Sequence, residues 1–368
     1  MANKQTIGYA VVGLGHIAQV AVLPAFAHAK KNSRLVALVS GEPKKLKALA
    51  RRHRVSATYS YDDLDACLEN PEVDAIYVAL PNNLHAQVTE RAAGKGVHVL
   101  CEKPMAVTEA ECERMIDACR ENNVKLMIAY RLYFEKANLG AMAAAKSGKL
   151  GDLRFFDSTF SYQVREGNIR TRAELGGGPV YDIGIYCINA ARNLFRDEPT
   201  EVFAFGEKSD DPRFREIDET VAVTMRFPNH RVATFVCSFG SSATSYYDLV
   251  GTKGSLCLGN AYEYKGNIAQ WLTIGDRTTH RKFPKADQFA PELLHFSGCI
   301  LENGEPEPSG KEGLADVRIV RAIHRSIQSD SPARVAAGEA PPRAEPSQAI
   351  RLPPVREPKV LGADSPHD

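Results

Sequence analysis

A chain of 368 residues with 44% hydrophobic content is long enough for two domains, each with its own core. Lysine and arginine total 46 against 45 for aspartate and glutamate, so no global field exists to gather nucleic acid or an anionic membrane. The expected partner is a small molecule or another protein. No apolar run is long enough to span a bilayer, the N-terminus carries no export signal, and the eight cysteines form neither a C-x-x-C pair nor a dense framework. The expected compartment is therefore the cytoplasm, with the thiols reduced and mostly buried, and no metal is expected.

Strand-like and helix-like segments alternate through residues 1–130, which predicts a parallel sheet covered by helices on both faces. "TIGYAVVGLG" is the first strand, "RLVALVSG" the second, and "DAIYVALP", "GVHVLCEKP" and "KLMIAYR" follow. Between them "TEAECERMIDACRENN" repeats Cys112, Met115, Ile116 and Cys119 at helical spacing. From residue 131 to 332 the rhythm changes. "LRFFDSTFSYQV", "EVFAFGEK", "TVAVTMRF", "RVATFVCSF", "SYYDLVGTKGSLCLGN" and "QWLTIGD" alternate as antiparallel strands, and "GLADVRIVRAIHRSIQSD" is a late amphipathic helix. Such an open sheet needs a cover on its second face, and a partner subunit supplies one, so a dimer or tetramer is expected. Residues 333–368 are rich in proline, alanine and charge and form a tail that wraps or dangles.

The first strand runs into "GLGHIA", where Gly13, Gly15 and Ala18 make the G-x-G-x-x-A pattern of a Rossmann dinucleotide site. The first glycine permits the tight turn, the second lets the backbone approach a pyrophosphate, and the small Ala18 lets helix and strand pack closely. His16 and Ile17 open the helix whose free amides receive the phosphates. The second strand ends in Ser40 and Gly41, where an NAD site usually has an acid, and a lysine-rich stretch follows. A hydroxyl with Lys45 beside it suits a 2′-phosphate, so NADP(H) is expected over NAD. Two alternatives stand: Lys44, Lys45, Lys47, Arg51 and Arg52 as a solvated helix face, and Glu42 as a displaced ribose ligand.

Strand ends of an open parallel sheet face the ligand crevice. Leu80, Asn82 and His85 of "LPNNLHAQ" and Glu102 and Lys103 of "CEKP" therefore belong near the cofactor, with His85 open to a packing role instead. Lys103–Pro104 is a candidate cis bond. On sequence alone Glu102 and Lys103 read equally well as an ion pair in a surface turn. After the triple glycine 176–178, Asp182 and Tyr186 stand four apart, so a helix starting there would put both on one face, either as a carboxylate and a phenol for alcohol oxidation or as a cap and a core aromatic.

In order, G-L-G-H-I-A, V-S-G, L-P-N-N-L-H, C-E-K-P-M, A-Y-R and G-G-G-x-x-x-D-I-G-I-Y resemble the Gfo/Idh/MocA oxidoreductase family, on its glucose-fructose and aldose-aldose oxidoreductase branch, from about Ile7 to Gln328. The resemblance implies a Rossmann NADP(H) domain (α/β) followed by an α+β domain with a large open, mainly antiparallel β-sheet. It implies a catalytic lysine at Lys103, a sugar-orienting carboxylate at Asp182, and a proton donor and acceptor at Tyr186, where many family members have histidine. It also puts Arg131 by the nicotinamide, Ser40 and Lys45 on the 2′-phosphate, and Arg170 at the cofactor, although Ile169 stands where that branch has tryptophan. The branch carries an export leader and an N-terminal arm that retains NADP, whereas this chain starts almost at its first strand, so a freely exchanging cofactor is the alternative expectation. The activity implied is oxidation of a cyclic aldose at C1 with reduction of a second sugar. A conventional aldose dehydrogenase and a non-catalytic NADP-binding regulator are the competing readings.

Overall fold

The computed structural model describes residues 5–367. Residues 1–4, part of the segment read for an export signal, and Asp368 lie outside the described residues.

Six strands, β1 (Ile7–Val12), β2 (Ser33–Val39), β3 (Ala57–Tyr59), β4 (Ala75–Val78), β5 (His98–Glu102) and β6 (Leu126–Ala129), form a parallel sheet in the order β3-β2-β1-β4-β5-β6. The strands β1, β4 and β6 are buried along their whole length, as expected where helices cover both faces. The order reverses between β1 and β4, which opens the ligand crevice outside their carboxyl ends. The five strands read from sequence are all present, and β3 was missed because three residues are too few to show a period.

Nine strands form the second sheet: β7 (Leu153–Gln163), β8 (Glu201–Glu207), β9 (Thr220–Phe227), β10 (Arg231–Ser238), β11 (Gly240–Gly251), β12 (Gly254–Gly259), β13 (Ile268–Ile274), β14 (Arg277–Phe283) and β15 (Ala333–Arg334). Their order is β14-β13-β12-β11-β7-β10-β9-β8-β15, antiparallel except between β7 and β10. The architecture expected from sequence is the one found. Phe156, Ser158 and Phe160 of β7 point to the covered face, while Phe155, Val232, Val236, Phe205 and Trp271 are exposed on the other.

Two late helices pack against the sheets. The helix Ala290–Glu302, not foreseen, packs on β1 and β2, where Ser297 Oγ lies 2.8 Å from both Tyr9 Oη and Ser33 Oγ. The helix Gly310–Ser329 lies between the helix Glu109–Glu121, β6 and β8, and so spans from one sheet to the other. The tail wraps rather than dangles: Ile350 N–H donates to the Phe134 carbonyl, Leu352 pairs with Asp287, and Leu361 pairs with Gln19. Among the described residues no helix is long and apolar enough to cross a membrane.

Candidate active site

The carboxyl ends of the parallel strands and the inner edge of the second sheet enclose a cleft of about 1070 Å³. At its dinucleotide end β1 turns at Gly13, whose φ of +96° and 2.3 Å separation between a would-be Cβ and the Ala79 carbonyl admit only glycine. A Cβ on Gly15 would meet nothing within 4 Å, so the backbone there faces open space of the kind a pyrophosphate needs. His16 and Ile17 continue this wall. Burial, then the charges of Lys265 and Arg170, push the His16 imidazole down to about 4, which leaves it neutral at pH 7.

Beyond β2 the cleft is bounded by Ser40, Gly41, Glu42 and Lys45. Ser40 Oγ accepts from the Glu42 amide at 3.3 Å, and Lys45 Nζ contacts Glu42 Oε1 at 2.5 Å and the Gly362 carbonyl at 2.9 Å. Lys44, Lys47 and Arg51 are exposed on the helix Pro43–His53, so the basic run divides into a solvated face and one lysine turned to the cleft. With an open glycine turn at one end and a hydroxyl and ammonium at the other, these residues fit a nicotinamide dinucleotide.

Leu80 and Asn82 line the cleft, but the Asn82 amide is already engaged, donating to the Gly176 carbonyl at 2.8 Å. His85 does not line it. Its ring is fully buried behind the wall, with Nδ1 2.9 Å from the Pro104 carbonyl and Nε2 3.0 Å from the Leu80 carbonyl, and so it braces the ends of β4 and β5. That is the packing alternative, not a cofactor contact.

At the reacting end β5 closes on Glu102, whose Oε1 accepts from Tyr77 Oη at 2.8 Å; burial raises its carboxyl above the ordinary range. The next bond, Lys103–Pro104, is cis. Lys103 Nζ donates to the Asp182 carbonyl at 2.8 Å and to Asp182 Oδ1 at 3.1 Å, and it sits 4.9 Å from the centre of the Tyr186 ring. Burial works against the ammonium, but the charges of Asp182, Tyr186 and Glu102 more than offset it, and its pKa lies above that of a free lysine. A lysine so held stays an ammonium at neutral pH, able to stabilise negative charge beside it but not to take up a proton.

Asp182 lies in a π-helical turn, Val180–Gly184, that leads into the regular helix Ile185–Phe195 carrying Tyr186. The turn presses on β10, since a Cβ at Gly184 would come within 3.1 Å of Cys237 Sγ. Asp182 Oδ2 accepts from Tyr162 Oη at 2.6 Å and from Arg170 Nε at 2.8 Å. Burial opposes ionisation, yet the Arg170 guanidinium and the Lys103 ammonium hold its carboxyl well below the usual range. It is no helix cap. Arg170 lines the cleft but spends its Nε on Asp182, and Arg131 is anchored to Gln288 and to the Tyr262 carbonyl with its guanidinium 5.0 Å from the Tyr186 ring centre.

Tyr162 carries no motif in the sequence; the stretch "FSYQVREGNIR" around it supplies Phe160, Tyr162, Gln163, Ile169 and Arg170 to the cleft wall. Of the hydroxyl- and aromatic-rich stretch "SSATSYYD" only Ala243 lines the cleft, whereas Tyr262 and Tyr264 of "AYEYKG" do so. Their only sequence signal is the alternating aromatic pair, too short to separate from an ordinary strand end.

The fold and this cleft define a dinucleotide-dependent oxidoreductase. The model of an oxidoreductase family with an NAD-binding Rossmann fold matches residues 7–130, and that of the GFO/IDH/MocA C-terminal domain matches residues 139–257. The chain belongs to the GFO/IDH/MocA family. It is similar to the crystal structure of an aldose-aldose oxidoreductase from Caulobacter crescentus, with a TM-score of 0.85 and 38% identity over 89% of this chain and 99% of that one. The D-xylose 1-dehydrogenase [NADP(+)] of Haloarcula marismortui is 28% identical over 91% of this chain and 94% of its own length. A dTDP-3,4-didehydro-2,6-dideoxy-alpha-D-glucose 3-reductase of Streptomyces violaceoruber is 32% identical over 80% and 85% respectively.

Proposed function

We propose that this protein is an NADP-dependent sugar oxidoreductase that oxidises a cyclic aldose at C1 to the aldonolactone and passes the hydride to a second sugar, which leaves as the alditol. The observation that carries the proposal is the Lys103–Asp182–Tyr186 group, one cation, one carboxylate and one phenol lining a single cleft with the dinucleotide turn. The likeness to an aldose-aldose oxidoreductase and to an NADP-linked xylose dehydrogenase supports the substrate class. Ser40 directly after β2, where an NAD site usually has an acid, and Lys45 support NADP over NAD, while Glu42, paired with Lys45, is the feature that would favour NAD.

NADP supplies the acceptor and, once reduced, the donor of the hydride. The chain supplies the rest. Tyr186 Oη takes the O1 proton as the hydride leaves C1 and returns it to the second sugar, Lys103 stabilises the negative charge that develops on the oxygens, and Asp182 holds a sugar hydroxyl while fixing Lys103. Phe160 and Tyr264 offer aromatic faces to the apolar side of the ring, with the buried Tyr262 packed behind Phe160. Residues 1–130 would serve the cofactor, 131–332 the sugar and subunit contacts, and 333–368 would remain a tail. Eight free cysteines, most of them buried, suit a reducing compartment such as the cytoplasm.

The test is the near-ultraviolet absorption and fluorescence of the desalted protein before and after an aldose is added. A bound nicotinamide whose redox state follows the sugar is the expected result, and a protein that turns over only with added NADP would instead be a conventional dehydrogenase. Lys103→Ala and Tyr186→Phe should each lower turnover by roughly two decades or more. Near-normal turnover in both variants overturns the assignment.

A further inference from the structure

The end of the tail crosses the mouth of the cofactor cleft and is fastened on both sides of it. On the dinucleotide side, Arg52 donates to the Lys359 carbonyl at 2.8 Å and Lys45 Nζ to the Gly362 carbonyl at 2.9 Å. Between these contacts Gln19, fully buried in the helix that follows the glycine turn, holds Leu361 twice. Its Nε2 donates to the Leu361 carbonyl and its Oε1 accepts from the Leu361 amide, each at 2.8 Å.

On the sugar side, the Arg165 amide donates to the Pro366 carbonyl at 3.0 Å, His367 bridges Val164, and its ring packs 5.2 Å from that of Tyr162, the residue holding Asp182. Lys265 and Lys285 flank Glu357 where the crossing begins. Pro366 and His367 are themselves part of the cleft wall. The family models, which end at residue 257, include none of this segment.

We propose that residues 357–367 are a strap that holds NADP(H) in its cleft, with Gln19 as the buckle, so that the dinucleotide leaves only after the strap has come away from the Rossmann side. The inference rests on the reading that NADP(H) occupies this cleft, and it supplies what that reading needs, a cofactor that stays bound while one sugar replaces another. The strap's anchors are backbone carbonyls and amides met by Gln19, Arg52 and Lys45, so the hold depends on the path of the tail more than on its side chains.

The experiment loads the full chain with NADPH, mixes it with excess NADP in a stopped-flow instrument, and follows the loss of bound-NADPH fluorescence with no sugar present. The same is done for a chain ending at Arg356 and for Leu361→Pro, which keeps the tail but removes the amide that donates to Gln19. Thermal unfolding of each variant verifies that it folds. Release should be roughly tenfold or more faster in the shortened chain and several-fold faster in Leu361→Pro, because the strap's hydrogen bonds no longer have to break first. Release within about twofold of the full chain in both variants overturns the strap and leaves the sugar chemistry untouched. Failure of the full chain to bind NADPH at all overturns the strap and the cofactor reading together.

Discussion

Asp182 is the residue on which the others converge. Its carboxylate receives Tyr162, Arg170 and Lys103, and its backbone carbonyl gives the lysine a second acceptor at 2.8 Å. Hydrogen bonds to a charged group contribute about 1.5–3 kcal/mol each. Tyr162→Phe removes one of them while keeping the ring and its packing on Phe239. We expect kcat/KM for the aldose to fall roughly tenfold or more, with NADP affinity little changed, measured by steady-state kinetics beside a cofactor titration. A tenfold loss in both would mean that Tyr162 shapes the whole cleft. At this scale the sequence was legible wherever a residue stood inside a motif: Gly13, Lys103, Asp182 and Tyr186 all line the cleft. Tyr162, in β7, and Tyr262, in the turn between β12 and β13, were not legible, because a lone tyrosine looks alike in sequence whether it meets a carboxylate or an oily neighbour. His85 sits in a motif yet faces away, since its two ring nitrogens meet carbonyls on either side.

Among the elements, the helix Gly310–Ser329 bears on the site from behind. His324 projects from it to stack on Tyr181, 5.3 Å between ring centres, next in the chain to Asp182. Burial, helped by the Arg321 charge, pushes this imidazole down to about 4 from an ordinary 6.5. Between those values the unfolded chain binds a proton there that the folded chain does not, so this group makes stability rise with pH across that window. His324→Phe keeps the stacked ring and removes the titration. Relative to the parent, the variant should therefore melt at a higher temperature at pH 5 than it does at pH 7. A gap in melting temperature that does not vary with pH would refute the argument. The helix was legible from its amphipathic period, whereas the helix Ala290–Glu302, equally regular, was not: buried between β1, β2 and the cleft wall, it has no long polar face to mark the period.

For the whole molecule, the exposed face of the nine-stranded sheet is the dominant feature. Phe155 and Val232 are directly paired on it, Val236 follows on β10 and Phe205 lies two strands away across Ala222, while Trp271 stands apart beyond Asp157 and Asp248. Contiguous exposed apolar surface of this kind marks an interaction site, and a second copy of the same face is the cover we propose. Phe155→Glu combined with Val232→Glu would set like charges opposite each other at its centre. Light scattering should then show the mass fall from that of a dimer or tetramer to that of one chain, and an unchanged mass would exclude this face as the interface.

The sequence alone determined the parallel order of secondary structure, the switch to an antiparallel sheet, the glycine turn and three candidate side chains, Lys103, Asp182 and Tyr186, that line one cleft. These depend on periods and spacings that local chemistry imposes on neighbouring residues. Only the tertiary structure decided that Lys103 is locked as a cation by Asp182, that Tyr162 and Arg170 hold that carboxylate, that His85 braces two loops, and that a tail more than 300 residues along the chain from the glycine turn returns to cross it. Contacts of that kind join residues far apart in the chain, and what selects them is which polar groups are left to pair once the core has closed.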